Sequence, residues 1–197
     1  EDIKRTLSLC IKCSMCTYGD WPENRPLCHM FSENKFFTYS GGGGVYLARS
    51  LVQGLIEPTP GIGDVVFRCH TCGNCQRICE VLRVPPPHLS PEDVIKLLRA
   101  HLFKAGVRPP EGLEKAGTNV LSKGNPYGFQ GNKRYGRRDI PSQGKVILHL
   151  GCVPAFQDQV LVDSILKIFK RVGQEVAFIE GESCCGKPLF DAGIWDG

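Results

Sequence analysis

The chain has 197 residues, an apolar fraction of 42% and a formal charge of +4. That length allows one or two small domains of ordinary globular composition. No apolar run reaches the roughly eighteen residues of a membrane-spanning helix, so no span is predicted.

The chain opens Glu1-Asp-Ile-Lys-Arg, with neither an initiator Met nor an apolar signal region, and reads as the ordered part of a longer or processed chain. Residues 1–9 predict a short helix, with Ile3 and Leu7 one turn apart. Cys10, Cys13 and Cys16 follow, and Cys28 comes eleven residues later. Between them, Trp21-Pro22-Glu-Asn-Arg-Pro26 opposes regular structure and is expected to arch over a metal site. Trp21 either excludes water there or packs in the core. Gly41 to Gly44 is expected to be a backbone turn that permits close approach or starts a helix. No Gly-Lys-Ser/Thr follows it, so it is not a phosphate loop.

Val45, Ala48, Leu51/Val52 and Leu55 then give a helical period over residues 45–55, ended by Pro58, Pro60, Gly61 and Gly63. A further short helix carries Val65, Val66 and Phe67 into Cys69-His-Thr-Cys72-Gly-Asn-Cys75-Gln-Arg-Ile-Cys79. Pro85 to Pro87 make a stiff break. Ser90-Pro91-Glu92-Asp93 is a helix start with an N-cap, proline at the first position and acids in the first turn. Its buried stripe is Val94/Ile95, Leu98 and Leu102, and Gly106 is the stop. Residues 107–143 read as a surface linker with one short helix near Leu113–Leu121. Within it, Lys133-Arg134 and Arg137-Arg138 flank Tyr135 as a solvated basic cluster, or as a dock for an acidic partner.

An α/β pattern completes the chain. Residues 145–150 predict a strand, Gly151-Cys152-Val-Pro154 a turn, 155–172 an amphipathic helix stopped by Gly173, and Val176–Ile179 a second strand. Gly181-Glu-Ser-Cys184-Cys185-Gly186 is its exit loop. Cys152 and the Cys184-Cys185 pair thus follow the C-terminal ends of two strands, where open α/β sheets place ligands.

The cysteine spacing carries the chemistry. Three thiolates on one tight turn can hold three irons of a cubane. A fourth cysteine lying a helical turn away ligates the other cluster in two-cluster ferredoxins. With two such runs the assignment crosses: Cys10, Cys13, Cys16 and Cys79 hold one 4Fe–4S cluster, and Cys69, Cys72, Cys75 and Cys28 hold the other. The alternative is a pair of four-cysteine zinc sites, which zinc usually builds from separated Cys-x-x-Cys pairs. Two anionic clusters would bring the net charge near zero, so the basic balance gives no argument for nucleic acid. Eleven cysteines, an odd number without an export signal, fit a reducing, anaerobic cytoplasm rather than a disulfide framework.

Cys184 and Cys185 are neighbours that cannot easily bridge each other. With Cys152 they suit metal ligation or chemistry on a substrate's sulfur, or else are small buried apolar residues. His29 and His70 adjoin expected ligands as outer neighbours or exposed residues, and His149 is expected to be structural. There is no nucleotide fingerprint, and any flavin is expected on another chain.

These features together resemble the iron–sulfur oxidoreductases related to the D subunit of heterodisulfide reductase. The residues carrying the resemblance are the two cysteine runs, Tyr46-Leu-Ala-Arg49-Ser-Leu, Asn125-Pro-Tyr-Gly128, Gly151-Cys152 and Cys184-Cys185-Gly186-Lys-Pro188. The first run is also similar to that of electron-transfer subunits of aromatic acyl-CoA reductases. Glu80 and His29 stand where the family places proline, and the later Cys-x-x-Cys of its cysteine-rich CCG domain lies outside these residues.

The resemblance implies an α+β chain. A helical ferredoxin-like domain with two 4Fe–4S clusters occupies residues 1–106, a linker 107–143, and the first part of a CCG domain 144–197. The expected function is relay of single electrons between a flavin or iron–sulfur partner protein and a terminal site at Cys152, Cys184 and Cys185. The alternatives are disulfide reduction at a non-cubane cluster held by the CCG site, the acyl-CoA reductase role, or a zinc-stabilised interaction module. The expected setting is a cytoplasmic hetero-oligomer that meets a membrane only through a partner.

Overall fold

The computed structural model describes residues 3–19, 25–79, 81, 89–130, 134–135, 143–179 and 181–195. The described fold is mostly helical, with one two-stranded parallel sheet. It forms two compact units, Glu1–Glu114 with Phe190–Gly197, and Lys115–Leu189.

The first unit contains α1 (Ile3–Ser8), α2 (Met15–Tyr18), α3 (His29–Asn34), a 3-10 turn (Phe37–Tyr39), α4 (Gly41–Val52), α5 (Pro60–Phe67), α6 (Asn74–Ile78) and α7 (Pro91–Lys104). Helix α4 is its centre and packs on α7, α1, the 3-10 turn, α2 and α6. Leu7, Val45, Ala48, Val66, Ile95, Leu98 and Leu102 meet in the core. Burying aliphatic side chains of this size contributes about 1.5–3 kcal/mol each.

The glycine run is itself the first turn of α4. Ser40 caps it, its hydroxyl accepting from the Gly43 amide at 3.1 Å. Glycine is required there by crowding: a Cβ on Gly43 would lie 2.1 Å from the Phe37 carbonyl oxygen, and one on Gly44 2.8 Å from Ile95 Cγ1. The expected helix therefore starts four residues early. It ends at Val52, so Leu55 falls outside the stripe and is 71% exposed. Pro60 begins α5 rather than ending a helix, with Thr59 as its N-cap. Helix α7 begins as its sequence dictates, the Ser90 hydroxyl accepting from the Asp93 amide at 3.2 Å. Positions 21–24 of the expected arch and the prolines at 85–87 lie outside the described residues.

The chain continues through α8 (Glu111–Lys123), β1 (Val146–Leu148), α9 (Cys152–Phe156), α10 (Gln159–Arg171), β2 (Val176–Phe178) and α11 (Lys187–Ala192). Strands β1 and β2 pair in parallel, with Val146 opposite Val176 and Leu148 opposite Phe178. This is the strand–helix–strand unit expected from the hydrophobic pattern, with shorter strands. The single helix expected over 155–172 is divided. Helix α9 starts at Cys152, the chain breaks at Gln157, and the Asp158 carboxylate caps α10 by accepting from the Leu161 amide at 3.0 Å. Tyr135, Ala155, Val162 and Phe178 form this unit's core.

The described residues of the region expected to be a linker hold more regular structure than their composition suggests. Helix α8 runs for thirteen residues. Asn125 is buried, donating to the carbonyls of Lys123 and Phe129 and accepting from the amides of Tyr127 and Phe129. Arg134 and Tyr135, expected in a solvated cluster, are both buried. Among the described residues no helix is long and apolar enough to cross a membrane.

Crowding at Gly43 makes a stability prediction. Gly43→Ala should destabilise the protein by about 1–3 kcal/mol, because the added carbon meets backbone that cannot rotate away. Gly112→Ala in α8, where nothing lies within 4 Å, should stabilise by roughly 0.5 kcal/mol. Thermal unfolding of the two variants checks the pair; equal and favourable shifts would contradict the close packing of α4.

Candidate metal centre

The eight cysteines expected as cluster ligands line two cavities. One is bordered by Cys28, Cys69, Cys72 and Cys75. The other is bordered by Cys10, Cys13, Cys16 and Cys79. Each cavity thus groups the trailing cysteine of one run with the three leading cysteines of the other.

The local backbone explains how three sulfurs of each run face one way. Lys12 and Ser14 in the first run have φ of 59° and 61°, and Thr71 and Gly73 in the second have 47° and 78°. These are equivalent positions, one residue before and one after the middle cysteine. Three of the four are not glycine, so the left-handed conformation costs energy that surrounding structure must offset. Immediately afterwards each run enters a short helix, α2 or α6, and those two helices pack on each other. That packing brings together loops separated by about sixty residues of chain.

The first turn of α4 borders both cavities. A Cβ on Gly41 would lie 2.5 Å from Cys75 Cβ and 3.0 Å from its Sγ, and one on Gly42 would lie 3.1 Å from Cys16 Sγ. The Gly42 amide donates to the Cys16 sulfur, and the Thr71 amide donates to the Cys69 sulfur at 3.4 Å. The N-terminus of a twelve-residue helix therefore lies against sulfur on two sides, Cys75 at Gly41 and Cys16 at Gly42, with the Gly42 amide bonded to the latter. On the remaining sides, the Cys28 thiol donates to the Tyr39 carbonyl at 3.4 Å and the Cys79 thiol approaches the Leu89 carbonyl at 3.9 Å.

The donor set fits iron–sulfur clusters. Soft thiolates, four to a cavity and free of disulfides, are the donors these clusters take. Among the described residues no three His, Cys, Asp or Glu side chains converge on a point that would hold a single ion. The thiols are instead spread around each cavity. Burial pushes the Cys16 thiol up to about 11 and the Cys75 thiol up to about 12, and raises Cys69 as well. Without metal these groups are neutral near pH 7. Ligation must displace their protons, which couples cluster uptake to pH.

The second unit holds a smaller constellation. Cys152 opens α9, and Cys184 lies in the loop after β2. The structure brings these two side chains into hydrogen-bond contact, while Cys185 is exposed. Burial and the neighbouring thiols push Cys184 up to about 11, although the Gly186 amide opposes this. Arg134 Nη1 stands 3.8 Å from Cys152 Sγ, and its Nη2 donates to Glu182 Oε1 at 2.6 Å. Tyr135 OH donates to the other Glu182 oxygen, and the Gly151 amide donates to Oε1 at 3.3 Å. His149, expected inside a strand, lies past the end of β1 with Nε2 3.4 Å from the same carboxylate. Glu182 and Arg134 were not legible as site residues. Their only sequence signals are an acid inside the Gly181–Gly186 loop and a tyrosine amid basic residues.

The raised thiols set a pH dependence. A buried thiol held above its ordinary value of 9.0 favours the folded chain fully below that value, and the benefit is lost as pH rises towards 11–12. The reduced, metal-free chain should therefore unfold at lower temperature at pH 10 than at pH 8. Identical melting at both would show that these thiols are not buried in the metal-free fold.

Residues 6–82 match the family model of the 4Fe-4S dicluster domain. Along its whole length the chain is 24% identical to the B subunit of the fumarate reductase (CoM/CoB) of Methanothermobacter marburgensis, of which it covers 38%. Over 95% of its length it is 23% identical to the D subunit of the dihydromethanophenazine:CoB–CoM heterodisulfide reductase of Methanosarcina barkeri, covering 47% of that protein. The corresponding protein of Methanosarcina acetivorans is 24% identical over 66% of the chain and is covered to 32%. No solved structure matches. The chain spans less than half the length of these curated relatives. Residues 6–82 are a 4Fe–4S dicluster domain, carried by a chain distantly homologous to the D subunit of heterodisulfide reductase and the B subunit of fumarate reductase.

Proposed function

We propose that this chain is an iron–sulfur electron-transfer subunit of a heterodisulfide reductase-like oxidoreductase. It passes single electrons between a flavin- or iron–sulfur-containing partner and a terminal thiol site at Cys152, Cys184 and Cys185. The observation that carries the proposal is the grouping of eight cysteines into two four-thiol cavities, each drawing on both runs. In this reading Cys10, Cys13, Cys16 and Cys79 hold one 4Fe–4S cluster, and Cys28, Cys69, Cys72 and Cys75 hold the other. A bound 4Fe–4S cluster supplies reversible one-electron oxidation and reduction.

The protein's part is to hold, shield and bias. Phe37, Val45 and Leu89 line the cavity of Cys10, Cys13, Cys16 and Cys79 and exclude water, which strengthens the electrostatic effect of every nearby dipole. The amides of Gly42 and Thr71 donate to sulfur, favouring the more negative, reduced state. In domain terms, residues 1–106 form the two-cluster domain, 107–143 connect, and 144–197 are the first part of a CCG domain. All three curated relatives are named as reductase subunits, which supports a place for this chain in a multisubunit complex.

A second reading, reduction of a disulfide substrate at the CCG site, is favoured by one observation. Cys152 and Cys184 are in contact, with the Arg134 guanidinium against the Cys152 sulfur. Turnover of a disulfide by the isolated chain with a chemical reductant would support it over simple relay.

Crossed ligation is tested by comparing single cysteine variants in anaerobically purified protein. Cys79→Ala should remove the same EPR signal as Cys13→Ala, and Cys28→Ala the same signal as Cys72→Ala, each with loss of about half the iron. If Cys79→Ala instead shares its loss with Cys72→Ala, ligation is not crossed.

A further inference from the structure

Arg99 is 2% exposed and lies in the core stripe of α7, next to Leu98 and one turn after Ile95. Its guanidinium faces the second cysteine run. Nε and Nη2 donate to the Val66 carbonyl at 3.4 and 3.3 Å, Nη2 reaches the Phe67 carbonyl at 3.4 Å, and Nη2 also donates to the Cys69 carbonyl. The guanidinium stacks 5.4 Å from the Phe67 ring centre. On its far side Nη1 donates to the Asp191 carbonyl at 2.9 Å and lies 3.7 Å from the Asp191 carboxylate. That carboxylate accepts from the Thr71 hydroxyl at 3.0 Å. Asp191 is thereby tied both to the cation and to the loop between Cys69 and Cys72.

A buried guanidinium is costly unless anions compensate it. Carbonyl oxygens satisfy its donors but carry no net charge, and the Asp191 carboxylate is offset and partly exposed. Burial lowers the Arg99 pKa, while the neighbouring Cys69 and Asp191 oppose that shift. An anionic thiolate cluster at Cys69 would add a second counter-charge beside Asp191, and it is the site the guanidinium is packed behind. A fixed cation beside a cluster that gains negative charge on reduction stabilises the reduced form. A carboxylate attached to the same loop does the opposite.

We propose that Arg99 is a positioning residue that raises the reduction potential of the cluster held by Cys28, Cys69, Cys72 and Cys75, and that Asp191 counteracts it. The inference rests on the crossed-cluster reading above and adds an asymmetry to it. Among the described residues no buried guanidinium donates to the carbonyl of a cysteine bordering the other cavity, so the two clusters differ in potential and electron flow acquires a direction.

EPR-monitored redox titration of the full, anaerobically purified chain tests this. Arg99→Gln should shift one cluster to a more negative midpoint, and that signal should be the one lost in Cys72→Ala. Arg99→Lys, which keeps the charge, should restore most of the shift. Asp191→Asn should move the same signal in the positive direction. Should Arg99→Gln fail to fold, the Asp191→Asn result decides, because that side chain is partly exposed and the change is isosteric. Unchanged midpoints in Asp191→Asn and Arg99→Gln, or equal shifts in both clusters, would reduce Arg99 to a brace for the loop and overturn the proposal. Absence of any cubane signal in the unsubstituted chain would instead defeat the cluster reading itself.

Discussion

Close approach of glycine backbone to cysteine sulfur is the constraint from which the first unit is built. Cys16 and Cys75 belong to different runs, yet each lies against the first turn of α4, at Gly42 and Gly41. Any side chain there would push a ligand loop outward by steric contact alone. The same four residues weaken the helix by their backbone entropy. Their cost is offset by the Ser40 cap and by the packing of Val45 and Ala48 against α7. The helix thereby serves as a wall shared by two cavities, and its Gly42 amide donates to the Cys16 sulfur.

Electrostatics follows from that geometry. Thiols drawn into the interior resist ionisation, as the values near 11 and 12 for Cys16 and Cys75 indicate. Amide donors, a helix N-terminus and one buried guanidinium are arranged to make the anionic form acceptable once metal is present. The second unit uses a similar device on a smaller scale. Buried Arg134 touches Cys152 while a carboxylate, Glu182, balances the guanidinium and gathers Tyr135, His149 and the Gly151 amide around itself. Removing either charge alone would leave the other buried without compensation.

Much of this was legible in the sequence wherever a local rule decides. Cysteine spacing foretold both runs and the mixed grouping of their sulfurs around two cavities. Ser90-Pro91 fixed the start of α7, and the alternation of apolar segments gave the parallel strand–helix–strand unit. Local rules failed where a distant contact wins. The apolar period over 45–55 places the helix start at Val45, while Gly41–Gly44, crowded by Cys16, Cys75 and Phe37, already form its first turn. Asp158 splits an apparently continuous amphipathic stretch: the break at Gln157 frees the first amides of α10, and the Asp158 carboxylate caps them. Arg134 and Tyr135 sit in a polar, glycine-rich stretch whose composition hides the carboxylate forty-eight residues away that buries them. Arg99 did leave a trace, a charged residue between Leu98 and Leu102 on an otherwise apolar face, but its partners lie in two distant segments, residues 66–69 and Asp191.

The central claim is that one chain carries two four-iron cubanes held by thiolates from two distant loops. Iron, acid-labile sulfide and zinc should be quantified in anaerobically purified protein, together with EPR of the dithionite-reduced state. The account predicts iron and sulfide in equal amounts at two clusters per chain, negligible zinc, and a spectrum broadened by interaction between two reduced centres. Colourless protein with stoichiometric zinc, or iron for a single isolated cluster, would contradict it.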